Sequence, residues 1–169
     1  MSRLFVCALA LPIPLVVPTL AQASSVVAVT AQTAPPAPPG CTGPSSATWI
    51  DVAVEGVRSS SGLVAITLYA DNPRKFLVRH GSLYVGRVPA RAGMTTGCIY
   101  VPKPGVYAIA IYHDEDANQG FNRTALGLPA EGYGFANNPS TLAGLPAFKT
   151  VRLSIPRAGL LTRVRLKYP

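Results

Sequence analysis

An acidic run, Asp114-Glu115-Asp116, interrupts a chain that is otherwise basic. The chain continues Ala117-Asn118-Gln119-Gly120-Phe121-Asn122, and oxygen-bearing side chains fall at relative positions one, three, five and nine of this stretch: Asp114, Asp116, Asn118 and Asn122. Alternating residues of a tight loop can turn their oxygens toward one hard cation, so this spacing is typical of Ca²⁺-binding loops. The run predicts a Ca²⁺ site at these four residues.

Two departures from the usual calcium loop leave an alternative open. Gln119 stands where such loops usually have glycine, and relative position twelve is not acidic, although Glu131 could return in space. The alternative is an Asx-rich turn, in which the same carboxylates and amides bond to the backbone.

His113 directly precedes the acidic run, and the only other histidine of the chain is His80. A histidine held by a carboxylate can act as a general base for a nearby hydroxyl, so a hydrolase using His113 with Asp114 or Glu131 is one alternative function. The chain has no G-x-S-x-G motif. A hydrogen-bonded histidine at a strand end is therefore favoured, and no catalytic residue is predicted.

A segment rich in glycine and aromatic residues, 127–138, follows the acidic run. Its glycines permit backbone conformations closed to other residues, and its aromatic rings offer apolar surface. Such a loop could line a ligand pocket, and a packed cover over one end of the domain is the alternative. The candidate ligand-binding residues of this region are His113, Glu131, Tyr133, Phe135, Asn137 and Asn138.

The composition indicates one β-rich domain. The 169 residues include 17 Pro and 15 Gly, which favours many turns over a helical bundle or coiled coil. Lys and Arg number 15 against 7 Asp and Glu, so the surface attracts anions without identifying a partner. A second alternative function is a structural envelope protein that acts through a basic strand face formed by Arg163, Arg165 and Lys167.

The first twenty-three residues have the features of a cleaved signal peptide: Arg3, an apolar stretch over 4–20 and the small-x-small site Ala21-Gln22-Ala23. Residues 24–40 are rich in Pro and Ala and predict a disordered spacer, so the domain is expected over 41–169. We expect a periplasmic or secreted protein with no transmembrane segment after cleavage and no nucleic-acid partner. The expected partner is an envelope component or a small ligand.

Cys41 and Cys98 are the two cysteines outside the expected signal peptide. A cysteine pair in an exported chain predicts one disulfide, Cys41–Cys98. A zinc site is less favoured, because two thiolates without nearby histidines fall short of the usual four ligands.

Alternation of apolar and polar residues predicts six or seven strands, at 48–57, 63–70, 82–88, 96–101, 105–113, 148–155 and 160–168. The first two are expected to form an antiparallel hairpin. The strand at 105–113 is apolar on both faces, which predicts a central strand. The expected fold is all-β, an immunoglobulin-like Greek-key β-sandwich of about seven antiparallel strands, with an open barrel as the alternative.

Several stretches of the sequence are similar to those of a known family: 103–110 (KPGVYAIA), 112–115 (YHDE), 127–138 (GLPAEGYGFANN) and 144–148 (GLPAF). Together they resemble the signature of an exported bacterial family called domain of unknown function 2141, over roughly residues 48–168. The resemblance implies a periplasmic or secreted β-sandwich without an assigned reaction. Family members usually read Asp-Glu-Asn-Gly-Asn-Gly in the acidic loop, and Asp116, Ala117, Gln119 and Asn122 depart from that pattern.

These observations favour an exported, non-enzymatic β-sandwich. We expect it to bind a ligand through the loops at 113–138, with Ca²⁺ fixing their shape.

Overall fold

The structure, a computed structural model, describes residues 35–140 and 145–169. The expected signal peptide and most of the expected spacer lie outside the described residues. Within the described part of the chain, no helix is long and apolar enough to cross a membrane.

The described residues form eight strands and one short 3₁₀ turn. The strands are β1 (Thr48–Val57), β2 (Leu63–Ala70), β3 (Tyr84–Pro89), β4 (Gly93–Val101), β5 (Gly105–Asp114), β6 (Tyr133–Phe135), β7 (Arg152–Ile155) and β8 (Leu160–Arg165), with the 3₁₀ turn at Phe148–Thr150. The predicted all-β sandwich is confirmed. Of the strand expected at 148–155, only the second half is extended.

The strands form two sheets. One has the order β4-β1-β8, and the other has the order β3-β2-β5-β6, with β7 also paired to β5. Most pairs are antiparallel, but β8 joins β1 in parallel. The expected antiparallel arrangement thus holds for every strand pair except β1 with β8, where the chain crosses over from the other sheet.

The predicted hairpin of β1 and β2 is wrong, because these strands lie in different sheets. β1 pairs with β4 and β8, whereas β2 pairs with β3 and β5. The connection at 58–62 passes from one sheet to the other. Alternation identified the buried face of each strand correctly, but both faces point into one core from opposite sides, so the pattern did not reveal the pairing partner.

The core between the sheets is made of branched aliphatic side chains. Val52 and Val54 of β1 face Ile66 of β2 and Ile109 of β5, and all four are fully buried. Burying one such side chain contributes about 1.5–3 kcal/mol.

A second apolar layer covers the outer face of the five-stranded sheet. Ala108 and Ala110 of β5 pack there with Tyr69, Phe76 and Phe135. Both faces of β5 are thus buried, and the prediction of a central strand is confirmed.

The disulfide joins Cys41 to Cys98 of β4, with a Cα–Cα distance of 4.4 Å. The chain before β1 lies against the domain here, since the Thr42 backbone N–H donates to the Cys98 carbonyl oxygen at 2.9 Å. The Trp49 indole N–H donates to the Pro35 carbonyl oxygen at 3.2 Å. The disulfide therefore fixes the entry of the chain to the three-stranded sheet.

Candidate functional site

The register of β5 with β6 brings the two ends of one loop together. Tyr112 pairs with Tyr133, and the His113 backbone N–H donates to the Gly132 carbonyl oxygen at 2.8 Å. Residues 115–132, hereafter the site loop, leave the sheet at the end of β5 and return at the start of β6. This register sets Asp114 opposite Glu131, which are far apart in the sequence.

Asp114, Asp116 and Glu131 form a carboxylate cluster. One oxygen from each lies within 4.8 Å of the others. Asp114 and Glu131 are buried, at 0% and 4% exposure, whereas Asp116 is exposed. Burial raises the pKa of the Glu131 carboxyl, and the charges of Asp114 and Asp116 raise this pKa further.

Backbone amides of the site loop bond to the two buried carboxylates. The Gln119 N–H donates to Asp114 Oδ2 at 2.9 Å. Glu131 accepts from the Glu115 N–H at 3.2 Å and from the Asn122 N–H at 2.9 Å. The other oxygen of Asp114, Oδ1, is buried and has no hydrogen-bond partner among the described residues.

Two asparagines of the site loop surround Asp116. Asn118 Nδ2 donates to Asp116 Oδ2 at 2.9 Å and to Asn122 Oδ1 at 2.9 Å. Asn122 Nδ2 donates to Asp116 Oδ2 at 2.8 Å and lies 3.4 Å from Glu131 Oε1. The Asn122 amide and the Asn118 backbone N–H lower the pKa of Asp116. The four expected calcium ligands are thus brought together. The loop also contains two Asx turns, because the Asn118 N–H donates to Asp116 Oδ1 at 3.2 Å and the Gly120 N–H donates to Asn118 Oδ1 at 2.7 Å.

His113 lies behind the carboxylate cluster and points the other way. Successive strand residues face opposite sides of a sheet, so His113 enters the core between the sheets and Asp114 lies on the outer face. The fully buried ring lies 2.8 Å from the Tyr168 hydroxyl at Nδ1 and 2.8 Å from the Ser61 carbonyl oxygen at Nε2. Both nitrogens therefore bond away from Asp114 and Glu131.

A groove of about 950 Å³ lies on the outer face of the five-stranded sheet, between the site loop and the segment 71–83. We call it the outer groove. Aromatic residues from the sheet and the loop line it: Tyr69, Tyr112, Phe121, Tyr133 and Phe135. Three apolar side chains at its rim are largely exposed, Val78 at 49%, Leu128 at 60% and Leu145 at 66%. The charged residues that line it are Arg79 and Arg123.

The other candidate residues occupy different places. Asn137 Nδ2 donates to the Arg152 carbonyl oxygen of β7 at 2.8 Å. Asn138 bonds to the backbone of β8, donating to the Arg163 carbonyl oxygen at 3.1 Å and accepting from the Arg165 N–H at 2.7 Å. Both asparagines therefore connect β6 to neighbouring strands and lie outside the outer groove.

The basic strand face is partly neutralised. Arg163 and Arg165 of β8 lie 3.2 Å and 3.5 Å from the Glu55 carboxylate. Lys167 follows β8, and its backbone exchanges hydrogen bonds with Tyr133 at 2.9 Å and 2.8 Å.

Sequence reasoning missed the segment 71–83 as a wall of the outer groove, together with Arg79, Phe121 and Arg123. The available signal was weak: Val78, Leu126 and Leu128 are apolar residues in stretches that otherwise predict turns. Leu77 and His80 have positive φ angles of 55° and 57°, which no sequence rule for these residue types foresees.

Comparison with known proteins identifies one family. A family model described as an uncharacterized protein conserved in bacteria, DUF2141, matches residues 52–160. This match confirms the resemblance seen in the sequence. No curated protein and no solved structure shows a significant match.

Proposed function

The chain belongs to the DUF2141 family of bacterial proteins, and we propose that its domain is an exported, non-enzymatic module that binds a small amphipathic anion in the outer groove. The proposal rests on one observation, a large aromatic groove with exposed apolar residues at its rim. Ligand sites are commonly clefts of about 300–1,000 Å³ lined by apolar and aromatic residues with a few polar groups. Exposed apolar surface of this kind is typical of a binding site.

The charged side chains that line the outer groove favour an anion. Arg79 and Arg123 line it, and no carboxylate does so among the described residues. The Arg123 guanidinium lies 5.1 Å from the centre of the Phe121 ring and donates to the Gly127 carbonyl oxygen at 2.9 Å. Stacking of this kind holds a guanidinium ready for a carboxylate or similar group. A ligand with an apolar body and one acidic group fits these features.

The environment of His113 supports a binding role over the hydrolase alternative. Ser61 offers a carbonyl oxygen to Nε2, which must therefore carry a proton, and Nδ1 is then free to accept from the Tyr168 hydroxyl. A fully buried ring whose two nitrogens both have hydrogen-bond partners is suited to structural support. Export is supported by the disulfide, since such bonds persist in oxidising compartments.

The test measures binding of decanoate to the purified protein by calorimetry, with decanol as the uncharged analogue. We expect decanoate to bind and the double variant Arg79→Gln/Arg123→Gln to bind it at least about tenfold more weakly, since a charge-assisted hydrogen bond contributes roughly 1.5–3 kcal/mol. Arg91→Gln, an exposed arginine outside the outer groove, is the control and should bind as the wild type does.

A second pair of variants tests the location. Leu128→Glu places a carboxylate at the rim of the outer groove, whereas Leu126→Glu alters an 86% exposed residue of the same loop that does not line it. We expect the first to abolish decanoate binding and the second to preserve it. Equal binding by both variants, or no binding by the wild type, would reject the proposal.

A further inference from the structure

The buried Asp114 carboxylate is incompletely satisfied. Its side chain has no exposed surface, and Oδ1 lacks a hydrogen-bond partner among the described residues. An unpaired buried polar atom is costly, and an unpaired buried charge more so. Asp114 belongs to the carboxylate cluster, in which one oxygen of each residue lies within 4.8 Å of the others.

Among residues 35–140 and 145–169, no cationic side chain forms an ion pair with the carboxylate cluster. The ion pairs of the described residues go to Glu115, Asp71 and Glu55 instead. Arg87, on β3, directs Nη2 to the Gln119 carbonyl oxygen at 3.1 Å. Backbone amides supply only part of the compensation, because each carries a partial charge.

The donor set indicates a hard cation. All three side chains offer carboxylate oxygens, while the nearby imidazole of His113 is engaged elsewhere. Ca²⁺ binds six to eight oxygens at about 2.3–2.6 Å, so two oxygens on one ion are separated by at most about 5 Å. The 4.8 Å limit within the carboxylate cluster satisfies this requirement.

The Asn122 amide lies between the carboxylates. Its Nδ2 is 2.8 Å from Asp116 Oδ2 and 3.4 Å from Glu131 Oε1, so a hydrogen-bond donor occupies the space that a bridging cation would take. Rotation of the amide about its last side-chain bond exchanges nitrogen for oxygen, which turns this donor into a ligand.

We propose that Asp114, Asp116 and Glu131 bind one Ca²⁺ ion, with Asn122 contributing its amide oxygen. The assignment of this Ca²⁺ site does not rest on the ligand proposed for the outer groove. The ion connects the end of β5 at Asp114 to the end of the site loop at Glu131, just before β6. The site loop between these two positions contains Phe121, Arg123 and Leu128. Because these three residues line the outer groove, the cation fixes one wall of the groove.

The experiment titrates the purified protein with CaCl₂ after chelation, by calorimetry and by thermal melting. We expect a dissociation constant of about 10⁻⁴–10⁻³ M, the range of extracellular calcium modules, and a higher melting temperature in Ca²⁺. Asp116→Asn alters an exposed residue, so the variant should fold and bind Ca²⁺ at least tenfold more weakly. Asp51→Asn, on β1, is the control and should bind as the wild type does.

Glu131→Gln tests the buried ligand. This change replaces one of the two carboxylate oxygens that accept backbone N–H bonds by an amide donor, so it can alter stability by itself. The informative quantity is therefore the shift in melting temperature that Ca²⁺ causes within the variant, and we expect no shift. The absence of heat and of a melting shift in the wild type, undiminished binding by Asp116→Asn, or tighter binding of Mg²⁺ than of Ca²⁺ would each overturn the assignment. Decanoate binding that persists in chelator, with no Ca²⁺ binding, would reject the cation site and retain the proposed function.

Discussion

At the scale of single residues, His113 connects distant parts of the chain through hydrogen bonds. The Arg58 backbone N–H donates to the Tyr168 hydroxyl at 3.0 Å, the hydroxyl bonds to Nδ1, and Nε2 reaches the Ser61 carbonyl oxygen. Nε2 donates to this carbonyl oxygen, and the Tyr168 hydroxyl bonds to Nδ1, so each of these groups has a partner. The histidine thus holds the connection between β1 and β2 against the end of the chain.

We expect Tyr168→Phe to lower the free energy of unfolding by about 1–2 kcal/mol, because the variant keeps the ring but deprives one donor, the Arg58 N–H, and one acceptor, His113 Nδ1, of a partner. Tyr100→Phe is the matched control, since its hydroxyl has no hydrogen bond shown among the described residues, and it should change stability by less than about 0.5 kcal/mol. Urea unfolding measures both. Equal stability of the two variants would show that the Tyr168 hydroxyl bond contributes nothing.

The ion pair of Asp71 and Arg152 makes a pH-dependent contribution to the free energy of unfolding. Two hydrogen bonds of 2.7 Å and 2.6 Å join the groups, and the guanidinium lowers the pKa of Asp71 below its ordinary value of 3.8. A carboxyl with a lowered pKa in the folded state stabilises above its unfolded pKa, and this contribution is lost as the pH falls through the folded-state value.

Asp71→Asn should therefore destabilise the protein slightly near neutral pH, and the difference from the wild type should vanish in acid. The effect is small because both side chains are partly exposed. Urea midpoints of the two proteins across the acid range measure this difference. A gap that widened as the pH fell would contradict the direction of the pKa shift.

At the scale of secondary-structure elements, the turn before β2 depends on Gly62. Its φ is +69°, and a Cβ there would overlap the Asp114 carbonyl oxygen and lie 2.8 Å from that of Glu115. Gly93 has a similar φ of +82° but has open space around it. The two glycines therefore separate the cost of the backbone conformation from the cost of a steric clash.

Gly93→Ala should cost about 1–2 kcal/mol, the strain of the left-handed conformation alone. Gly62→Ala should cost at least about 2 kcal/mol more, because it also displaces the end of β5. The second variant should weaken Ca²⁺ binding as well, since Asp114 moves with that strand end. Thermal and urea unfolding give the first comparison, and a calcium titration gives the second.

Alternation along the chain predicted seven of the eight strands of the described residues but not their pairing partners. The apolar run from Val106 to Ile111 identified β5 as a central strand, because few other stretches of the sequence would be apolar on both faces of a strand. The pairing of β1 with β8 was not accessible, since nothing local links Ile50 to Leu160. The three-residue β6 was missed because two alternating apolar positions are too few for a pattern.

The candidate site was predictable in part for the same reason. Asp114, Asp116, Asn118 and Asn122 are close in sequence, so their spacing alone placed them together. The approach of Glu131 depends on the register of β5 with β6, and the outer groove depends on a segment from a different connection. Such contacts between distant segments follow from tertiary packing, which one sequence does not reveal.

At the scale of the whole molecule, the Cys41–Cys98 disulfide closes a loop of 57 positions. In the chain-entropy model, a loop of this length stabilises the folded state by about 4 kcal/mol. We expect the double variant Cys41→Ala/Cys98→Ala to lose a stability of this order in urea unfolding. Reductant should destabilise the wild type to a similar degree and leave the double variant unchanged. A reductant effect on the double variant would mean that the disulfide is not its target.

The parallel pairing of β1 with β8 also affects how the chain folds. Ile50 and Leu160, which are partners, stand 110 positions apart (160 − 50). Contacts over such separations are entropically costly to initiate, and proteins dominated by them fold in milliseconds to seconds. Until β8 arrives, one edge of β1 exposes unpaired backbone groups, which invite pairing with other chains. During folding, this edge is therefore a site from which aggregation can start, and a chaperone that shields β1 would protect the chain.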